Sequence, residues 1–359
     1  MTGTSRPNIA AIEIDLDAVV SNARLARAEA PGARMMAMVK ANAYGHGAVD
    51  VSLALADEAD AFGVARVAEA LELRTAGIRT PIALMEGALD TEELAAAIEH
   101  SLDVVVHSPG TWDLVKDTNL KVWLKVDTGM NRLGLREGEY RALRDVVPRD
   151  RLIGVMTHFA RADDEDLAYS LDQVSQLKAI VGEDDVDISI PNSAAILSHI
   201  ATDSTWIRPG IMLYGATTFD DEAPPSVAQL QPAMIFTAPV VAVHDVLAGE
   251  TVGYGGTFRA AVDTRVAVIA AGYADGYPRE VNRPPVSING QRRTLVGRVS
   301  MDMVTVELEP GDVVVPGDRA ELWGNAVSID EVARSAGTIA YTLMCHVSTR
   351  VERRIRETS

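Results

Sequence analysis

The chain has 359 residues and a formal net charge of −18, from 33 basic and 51 acidic residues. This length is sufficient for two domains, or for one α/β barrel with an additional domain. The negative charge argues against nucleic acid or an anionic membrane as a partner, because polyanions repel such a surface.

Eight short apolar segments alternate with amphipathic stretches over the first two thirds of the chain. The segments are Met35–Lys40, Ala61–Ala65, Ile82–Glu86, Asp103–His107, Val122–Asp127, Leu152–His158, Asp187–Ile190 and Trp206–Arg208. The stretches include Asp50–Ala59, Val67–Ala76, Thr91–His100, Glu137–Val147 and Glu165–Val181. Apolar strands separated by helices are typical of parallel β/α units. The pattern predicts a (β/α)8 TIM-type barrel, because eight strands favour closure over an open, doubly wound sheet.

The pattern changes after Gln231 and Pro232, where strands follow one another directly. The predicted strands are Val240–Val246, Arg265–Ala271, Pro285–Ile288, Gln291–Val299, Met303–Leu308 and Arg319–Trp323, with one helix at Ile329–Ala336. Asn289-Gly290 between two strands is a typical hairpin turn. We predict a barrel over residues 1–233 and a mostly antiparallel β domain over residues 234–359. The first strand, Ile9–Ile14, is expected to join the second domain although it precedes the barrel in the chain.

The single cysteine, Cys345, excludes a disulfide framework and a cysteine-rich metal site, and it fits a reducing compartment. Met1–Pro7 lacks the apolar core of a signal peptide. No apolar run has the length that a membrane-spanning helix needs. We therefore expect a cytoplasmic protein with no membrane partner and no metal site.

Polar residues stand at the ends of several predicted barrel strands. They are Lys40, Lys125, Asp127, His158, Asn192, Ser193 and Arg208. Barrel active sites lie at the carboxyl ends of the strands. Although any one of these residues alone fits a solvated strand end, together they predict one shared site.

Lys40 ends the apolar run Met-Met-Ala-Met-Val. An amine among apolar neighbours suits Schiff-base chemistry, and the alternative is a lysine that reaches from a strand end to solvent. The segment Val39–Gly47 resembles the pyridoxal-phosphate site of alanine racemases. Further motifs extend the resemblance from Ile12 to Arg350: Lys125–Gly134, Thr157–Phe159, Asn192–Ala195, Arg208–Ile211, Tyr254-Gly255, Gly272–Gly276 and Ser300–Asp302. The resemblance implies a homodimeric enzyme that interconverts L- and D-alanine for bacterial peptidoglycan.

The resemblance also implies which residues bind pyridoxal 5'-phosphate. They are Lys40 (as the Schiff base), Tyr44, His158, Asn192, Ser193, Arg208, Gly210 and Ile211. Barrels often bind phosphate in the loops after strands seven and eight, which here carry Asn192-Ser193 and Gly210-Ile211. Ser193 alone also fits an ordinary helix cap, and His158 alone a structural histidine.

Arg208 resembles the arginine that faces the pyridine nitrogen of the cofactor in this family. A permanent cation disfavours protonation of that nitrogen and so weakens the electron sink. A weaker sink suits a racemase, which must return the proton to Cα. The alternative is an ion pair between Arg208 and a carboxylate at the rim.

Racemisation needs a base on each face of Cα. The resemblance implies Lys40 on one face and Tyr254, supplied by the partner subunit, on the other. Arg132 and the backbone N–H of Met301, also supplied across the interface, resemble the anchors of the substrate carboxylate. Two further residues resemble the mouth of the same pocket: Tyr273 and Asp302.

Lys125 lies seven residues before Arg132, where two cations would repel each other. The resemblance implies that carbon dioxide carbamylates this lysine and that the new carboxylate pairs with Arg132. The alternatives are an unmodified rim lysine and an amine that binds an anion such as chloride.

Two positions differ from the family pattern. Many members have a tyrosine where this chain has Thr349, and that ring narrows the entrance and contacts the phosphate. Some members have a histidine that supports the pyridine arginine where this chain has Ser189. The first difference leaves open how strictly the substrate is limited to alanine, so a racemase of broader specificity is the first alternative.

Two other classes of protein compete with a racemase. Amino-acid decarboxylases of the same fold place a cysteine beside acidic residues in the β domain, whereas Cys345 lies in Leu-Met-Cys-His-Val. A non-catalytic cofactor carrier would need the barrel alone, and the β domain with Tyr254 argues against it.

Overall fold

The structure, a computed structural model, describes residues 9–219 and 223–356. The segment Met1–Pro7, for which the sequence predicts no signal peptide, lies outside these residues. The chain divides into two compact units. One runs from Asp17 to Leu230, and the other combines the residues up to Leu16, including strand β1 (Ala11–Ile14), with those from Gln231 onward.

The first unit contains a closed barrel of eight parallel strands, which confirms the predicted (β/α)8 fold. The strands are β2 (Arg34–Met38), β3 (Ala61–Val64), β4 (Ile82–Leu84), β5 (Asp103–Val106), β6 (Val122–Lys125), β7 (Leu152–Met156), β8 (Asp187–Ser189) and β9 (Trp206–Ile207). They pair in chain order, and β9 closes the ring on β2. Each strand ends one or two residues before its predicted end, because the polar residues there already belong to the loops of the mouth.

Helices connect the strands of the first unit. They are Leu16–Glu29, Ala48–Ala54, Val67–Thr75, Thr91–Glu99, Pro109–Val115, Glu137–Val146, Ala168–Val181 and Ser193–Leu197. The prediction of a helix at Asp50–Ala59 was wrong in its bounds, and the predicted helix at Glu165–Val181 begins only at Ala168. Among the described residues, none of the helices is both long and apolar enough to cross a bilayer.

Large side chains fill the interior of the barrel, and one glycine makes room for the largest of them. Trp123 of β6 is buried and lies beside Gly154 of β7 in the strand register. A Cβ atom at Gly154 would lie 2.7 Å from the Trp123 ring. The indole can therefore approach β7 at this point only because position 154 carries no side chain.

The second unit is a mostly antiparallel β domain. Its strands besides β1 are β10 (Met234–Val246), β11 (Thr251–Val252), β12 (Phe258–Arg259), β13 (Thr264–Ile269), β14 (Pro285–Ile288), β15 (Gln291–Val296), β16 (Val304–Leu308), β17 (Arg319–Trp323) and β18 (Glu352–Ile355). The long strand β10 pairs with β17 through its first half and with β13 through its second half. This pairing closes six strands into a ring, and β1 and β18 extend the sheet from β10.

The prediction of one helix in this unit was wrong. Ile329–Ser335 is followed by a second helix, Ala340–His346, and strand β18 was also not predicted. Both are short, and β18 forms by parallel pairing with β1 near the other end of the chain. Such pairing depends on a distant segment and leaves no local pattern in the sequence.

Candidate active site

Lys40 follows β2 and opens an unusual turn. Ala41, Asn42, Ala43 and Tyr44 all have positive φ angles, between 51° and 54°. A left-handed backbone costs a residue with a side chain about 1 kcal/mol or more, so surrounding contacts must hold it. The Ala41 N–H donates to Glu69 at 2.7 Å, and Asn42 Oδ1 accepts from the Ala48 N–H at 2.8 Å.

The turn brings Tyr44 to the residues predicted to bind phosphate. A Cβ atom at Gly210 would lie 2.6 Å from Tyr44 Oη, so the phenol approaches the bare backbone closely. Ser193 Oγ accepts from the Gly210 N–H at 2.8 Å and from the Met212 N–H at 3.3 Å. Ile211 is buried and begins the short 3-10 helix that ends at Tyr214.

Asn192 and Ser193 divide the roles at the start of the helix Ser193–Leu197. Asn192 Oδ1 accepts from the Ala195 N–H at 3.0 Å and caps the helix. Ser193 is therefore not the cap. Because its oxygen already accepts two N–H groups, its own hydrogen is the group that an anion would accept.

Arg208 is buried at the end of β9, and its partners among the described residues are all neutral oxygens. Nη1 donates to Ser189 O at 2.7 Å and to Ser189 Oγ at 2.5 Å, and Nη2 donates to Thr157 O at 2.5 Å and to Ile190 O at 3.2 Å. None of these partners is the rim carboxylate that the sequence left open. Burial lowers the pKa of Arg208 to about 10, which leaves it a cation at neutral pH.

Lys125, the last residue of β6, is buried among other cations. Burial, followed by the nearby Arg208, Arg132 and Lys40, lowers the pKa of Lys125 to about 8. Burial and the same group of cations lower the pKa of His158 well below its usual value, so its imidazole is neutral. Lys40, Lys125, Arg132 and Arg208 thus lie near His158 at the mouth of the barrel, and their combined field attracts anions.

The loop after β6 holds Arg132 by a closed set of backbone bonds. The Asp127 N–H donates to Leu135 O at 3.0 Å, and the Leu135 N–H donates to Lys125 O at 2.8 Å. Gly134 has φ of +147°, and a Cβ atom there would lie 2.5 Å from Asp127 N. Asp127 is a structural residue of this loop, since its Oδ1 accepts from the N–H groups of residues 129 and 131.

The remaining predicted site residues lie in the second unit. Tyr254 is on the turn between β11 and β12 and is 72% exposed. The Tyr273 N–H donates to Ser300 O at 3.1 Å, which joins its motif to that of Met301. Asp302 Oδ1 accepts from Arg350 Nη2 at 2.7 Å. Within the described part of the chain, the Met301 N–H has no acceptor, and the Met301 side chain is exposed.

The sequence reasoning missed three polar residues that connect the loops of the mouth. Gln173 is buried on the helix Ala168–Val181, and its Nε2 donates to Thr128 Oγ1, which in turn contacts Thr157 Oγ1. The available signal was a polar residue at an inward position of an amphipathic helix, next to Val174 and one turn before Leu177.

Two family models match most of this chain. The model of the alanine racemase amino-terminal domain matches residues 14–218, and the model of the carboxyl-terminal domain matches residues 233–355. The alanine racemase of Pseudomonas entomophila and the catabolic alanine racemase of Pseudomonas putida are each 45% identical over 342 residues, which are 93% of this chain and 95% of the relative.

A solved structure extends the comparison to the fold. The structure of the biosynthetic alanine racemase from Pseudomonas aeruginosa superposes with a TM-score of 0.92 at 39% identity, and the match covers 98% of this chain and 100% of that one. Members of this family are pyridoxal-phosphate-dependent racemases. The matched domains, the relatives and the fold together show that this chain belongs to the alanine racemase family.

Proposed function

We propose that this protein racemises alanine with pyridoxal phosphate as its cofactor. The observation that carries the proposal is the convergence of Lys40, Lys125, Arg132 and Arg208 at the barrel mouth, next to the Tyr44–Ser193–Gly210 cluster. A cationic mouth with a cluster of hydroxyl and backbone donors suits a ligand with a phosphate and a carboxylate.

The residues present fit pyridoxal phosphate. Tyr44 Oη, Ser193 Oγ and the backbone N–H of Ile211 supply neutral donors of the kind that bind phosphate, and the Gly210 N–H orients Ser193 Oγ. His158, kept neutral by burial, offers an uncharged ring. Lys40 offers an amine at the strand end that would hold the cofactor covalently. When bound, the cofactor supplies an electron sink for the pair left on Cα after a proton departs.

Arg208 sets the strength of that sink. Its guanidinium is held by four hydrogen bonds to neutral oxygens, so no carboxylate offsets its charge. A full positive charge at this place disfavours a second one on the pyridine nitrogen. We infer that Ser189, through its carbonyl and its hydroxyl, orients Arg208 in this chain.

Lys40 Nζ and Tyr254 Oη move the proton at Cα on opposite faces of the substrate. Each group removes the proton of the enantiomer whose Cα–H bond points toward it, and the group on the opposite face then donates a proton to its own side of Cα. Tyr254 is largely exposed on the second unit, as expected for a group offered to a partner's barrel. We therefore propose a homodimer in which Tyr254 and Met301 complete the active site of the other subunit.

Arg132 and the Met301 N–H hold the substrate carboxylate, and Lys125 orients Arg132. Because burial and the nearby cations lower its pKa to about 8, Lys125 is a neutral amine at neutral pH more often than an ordinary lysine is. Its nitrogen attacks the carbon of carbon dioxide and loses a proton, which yields a carbamate. This step replaces a repelling cation with a carboxylate that accepts both arms of the Arg132 guanidinium. Two further residues, Tyr273 and Asp302, line the mouth of the pocket in this proposal.

We also propose that the enzyme acts in the cytoplasm and that its D-alanine enters bacterial peptidoglycan. The name of the Pseudomonas aeruginosa protein, a biosynthetic alanine racemase, supports a biosynthetic role, whereas the Pseudomonas putida relative is named a catabolic alanine racemase. This chain has the exposed Thr349 where many family members have a tyrosine that narrows the entrance. Serine, which is slightly larger than alanine, is therefore the second substrate to test.

A single assay separates these functions. The purified protein with pyridoxal phosphate is given L-alanine, L-serine or L-lysine, and both D-amino acid and carbon dioxide are measured. We expect D-alanine to form fastest and no carbon dioxide to be released, with Lys40→Ala as the inactive control. Carbon dioxide without D-product would establish a decarboxylase instead.

A further inference from the structure

Gln173 makes three hydrogen bonds to loops that carry the site. It is 1% exposed and lies on the helix Ala168–Val181. Its Nε2 donates to Thr128 Oγ1 and to His158 O, each at 3.1 Å, and its Oε1 accepts from the Ala160 N–H at 3.0 Å. The amide thus uses both of its N–H groups and its carbonyl, and it joins the loop after β6 to the loop after β7.

The hydrogen bonds continue from Gln173 in one direction. Thr157 Oγ1 donates to Val126 O at 2.9 Å, and a hydroxyl has only one hydrogen. Thr128 Oγ1 must therefore donate across the 2.8 Å contact to Thr157, and it accepts from Gln173. The chain of donors ends at Val126 O, next to Lys125, and the carbonyl of Thr157 accepts from Arg208.

We propose that Gln173 is a positioning residue that fixes the loop of residues 126–134, and with it Arg132, for the carboxylate of the substrate. The identity of that carboxylate rests on the proposed function, whereas the hold on the loop rests on the described contacts alone. A glutamate at position 173 would supply no N–H group to Thr128 or His158. An apolar side chain would leave His158 O and the Ala160 N–H without their partner on the helix, and it would remove the donor to Thr128 Oγ1.

Loss of the Gln173 hydrogen bonds is expected to weaken substrate binding more than it slows proton transfer at Cα. Arg132 is exposed at the tip of its loop, so its position depends on the bonds at the base. A loosened loop presents the guanidinium in many orientations. Ordering the loop on binding then reduces the net free energy of substrate binding. The groups that move the proton, Lys40 and Tyr254, make no contact with Gln173 among the described residues.

The test compares Gln173→Met with Gln176→Met. Gln176 lies on the same helix but is exposed, where its Nε2 donates to Asp172 at 2.6 Å, so it is a matched control. We expect Gln173→Met to raise the KM for alanine about tenfold and to change kcat less than about threefold. Hydrogen exchange of the Asp127 and Leu135 amides should accelerate by about tenfold. The control should change neither quantity.

Unchanged KM and unchanged exchange in Gln173→Met would overturn the proposal, as would a loss of kcat at constant KM. If Gln173→Met does not fold, Thr128→Val removes the next hydroxyl in the chain and Thr128→Ser restores it. We expect the valine variant to behave as described for Gln173→Met and the serine variant to behave as the unaltered protein. If the unaltered protein makes no D-alanine, the proposed function fails, and hydrogen exchange still decides whether Gln173 holds the loop.

Discussion

At the scale of single residues, the barrel mouth concentrates positive charge that a folded protein accommodates only at a cost. Lys125 is buried near Arg208, Arg132 and Lys40, and burial is the largest cause of its lowered pKa. The folded state therefore binds the Lys125 proton less tightly than the unfolded chain does. The free energy of unfolding and the proposed carbamylation of Lys125 are therefore linked, because the neutral amine favours both the folded state and the reaction with carbon dioxide.

We predict that Lys125→Met raises the free energy of unfolding below pH 8 by about 2 kcal/mol in buffer without carbon dioxide. Below pH 8 the amine is charged in both states, and the folded state bears the full cost of burying it. This cost declines from pH 8 upward and is gone above the ordinary lysine pKa of 10.5, where both states are neutral. Urea unfolding of both proteins at pH 6.5 and pH 10.5 measures the difference.

The control for this prediction is bicarbonate. Added at pH 8, it should stabilise the unaltered protein through the carbamate and leave Lys125→Met unchanged. A stability difference that is the same at both pH values, with no effect of bicarbonate, would show that Lys125 is an ordinary rim lysine.

Tyr254→Phe tests the two-base mechanism. We expect the variant to bind the cofactor normally and to lose exchange of the Cα proton of L-alanine by about a hundredfold or more, because it lacks the phenolic oxygen. Lys40 should still exchange the proton of D-alanine. Deuterium incorporation from D2O into each enantiomer, followed by mass spectrometry, measures both rates. Equal losses for the two enantiomers would contradict the assignment of one base to each face.

At the scale of elements, the close approach of a side chain to the backbone shapes the cluster of Tyr44, Ser193 and Gly210, which we propose binds phosphate. Tyr44 reaches it only because four residues before Gly45 adopt left-handed angles. Gly210 receives the phenol because it has no side chain, and its N–H donates to Ser193. The loops after β2, β8 and β9 therefore contact one another here, and a change in one of them displaces the others.

We predict that Gly210→Ala raises the dissociation constant of pyridoxal phosphate by about tenfold or more. The added Cβ would lie 2.6 Å from Tyr44 Oη and would push the ring away from the cluster. Gly138→Ala is the control, since a Cβ at Gly138 has no neighbour within 4 Å and lies on a helix that alanine favours. Equilibrium dialysis measures both constants, and an unchanged constant in Gly210→Ala would mean that Tyr44 takes no part in cofactor binding.

At the scale of the whole molecule, several exposed apolar side chains mark the second unit. Tyr254, Met301 and Met303 are 72%, 53% and 45% exposed, although two of them belong to motifs of the active site. Such side chains suit burial against a partner. The net charge of −18 does not prevent association, because a symmetric interface needs complementarity only over its own patch.

Mixing two inactive variants tests whether the subunits share their sites. In a hybrid of Lys40→Ala and Tyr254→Phe, one site carries both defects and the other carries none. Random exchange of subunits from equal amounts should therefore restore about a quarter of the normal activity. Racemase activity after joint refolding, with each variant refolded alone as the control, measures this recovery. No recovery, with hybrids present by mass, would place both bases in one subunit.

The sequence alone determined the order of the barrel strands and the positions of the chemical groups along the chain. Eight apolar runs predicted the barrel, and Asn289-Gly290 predicted the hairpin between β14 and β15. Lys40, His158 and Arg208 follow the carboxyl ends of their strands as expected. These features were predictable because they depend on short-range patterns and on the rule that parallel strands share one active end.

Only the tertiary structure decided how these groups are held. The four acceptors of Arg208 and the hydrogen bonds of Gln173 join residues that are 13 to 51 positions apart in the sequence. The left-handed turn after Lys40 contains no glycine before residue 45, so its conformation comes from contacts such as that of Ala41 with Glu69. Strand β10 likewise closes the six-stranded ring through pairing with distant strands. Such contacts leave no local pattern, because their partners become neighbours only when the chain has folded.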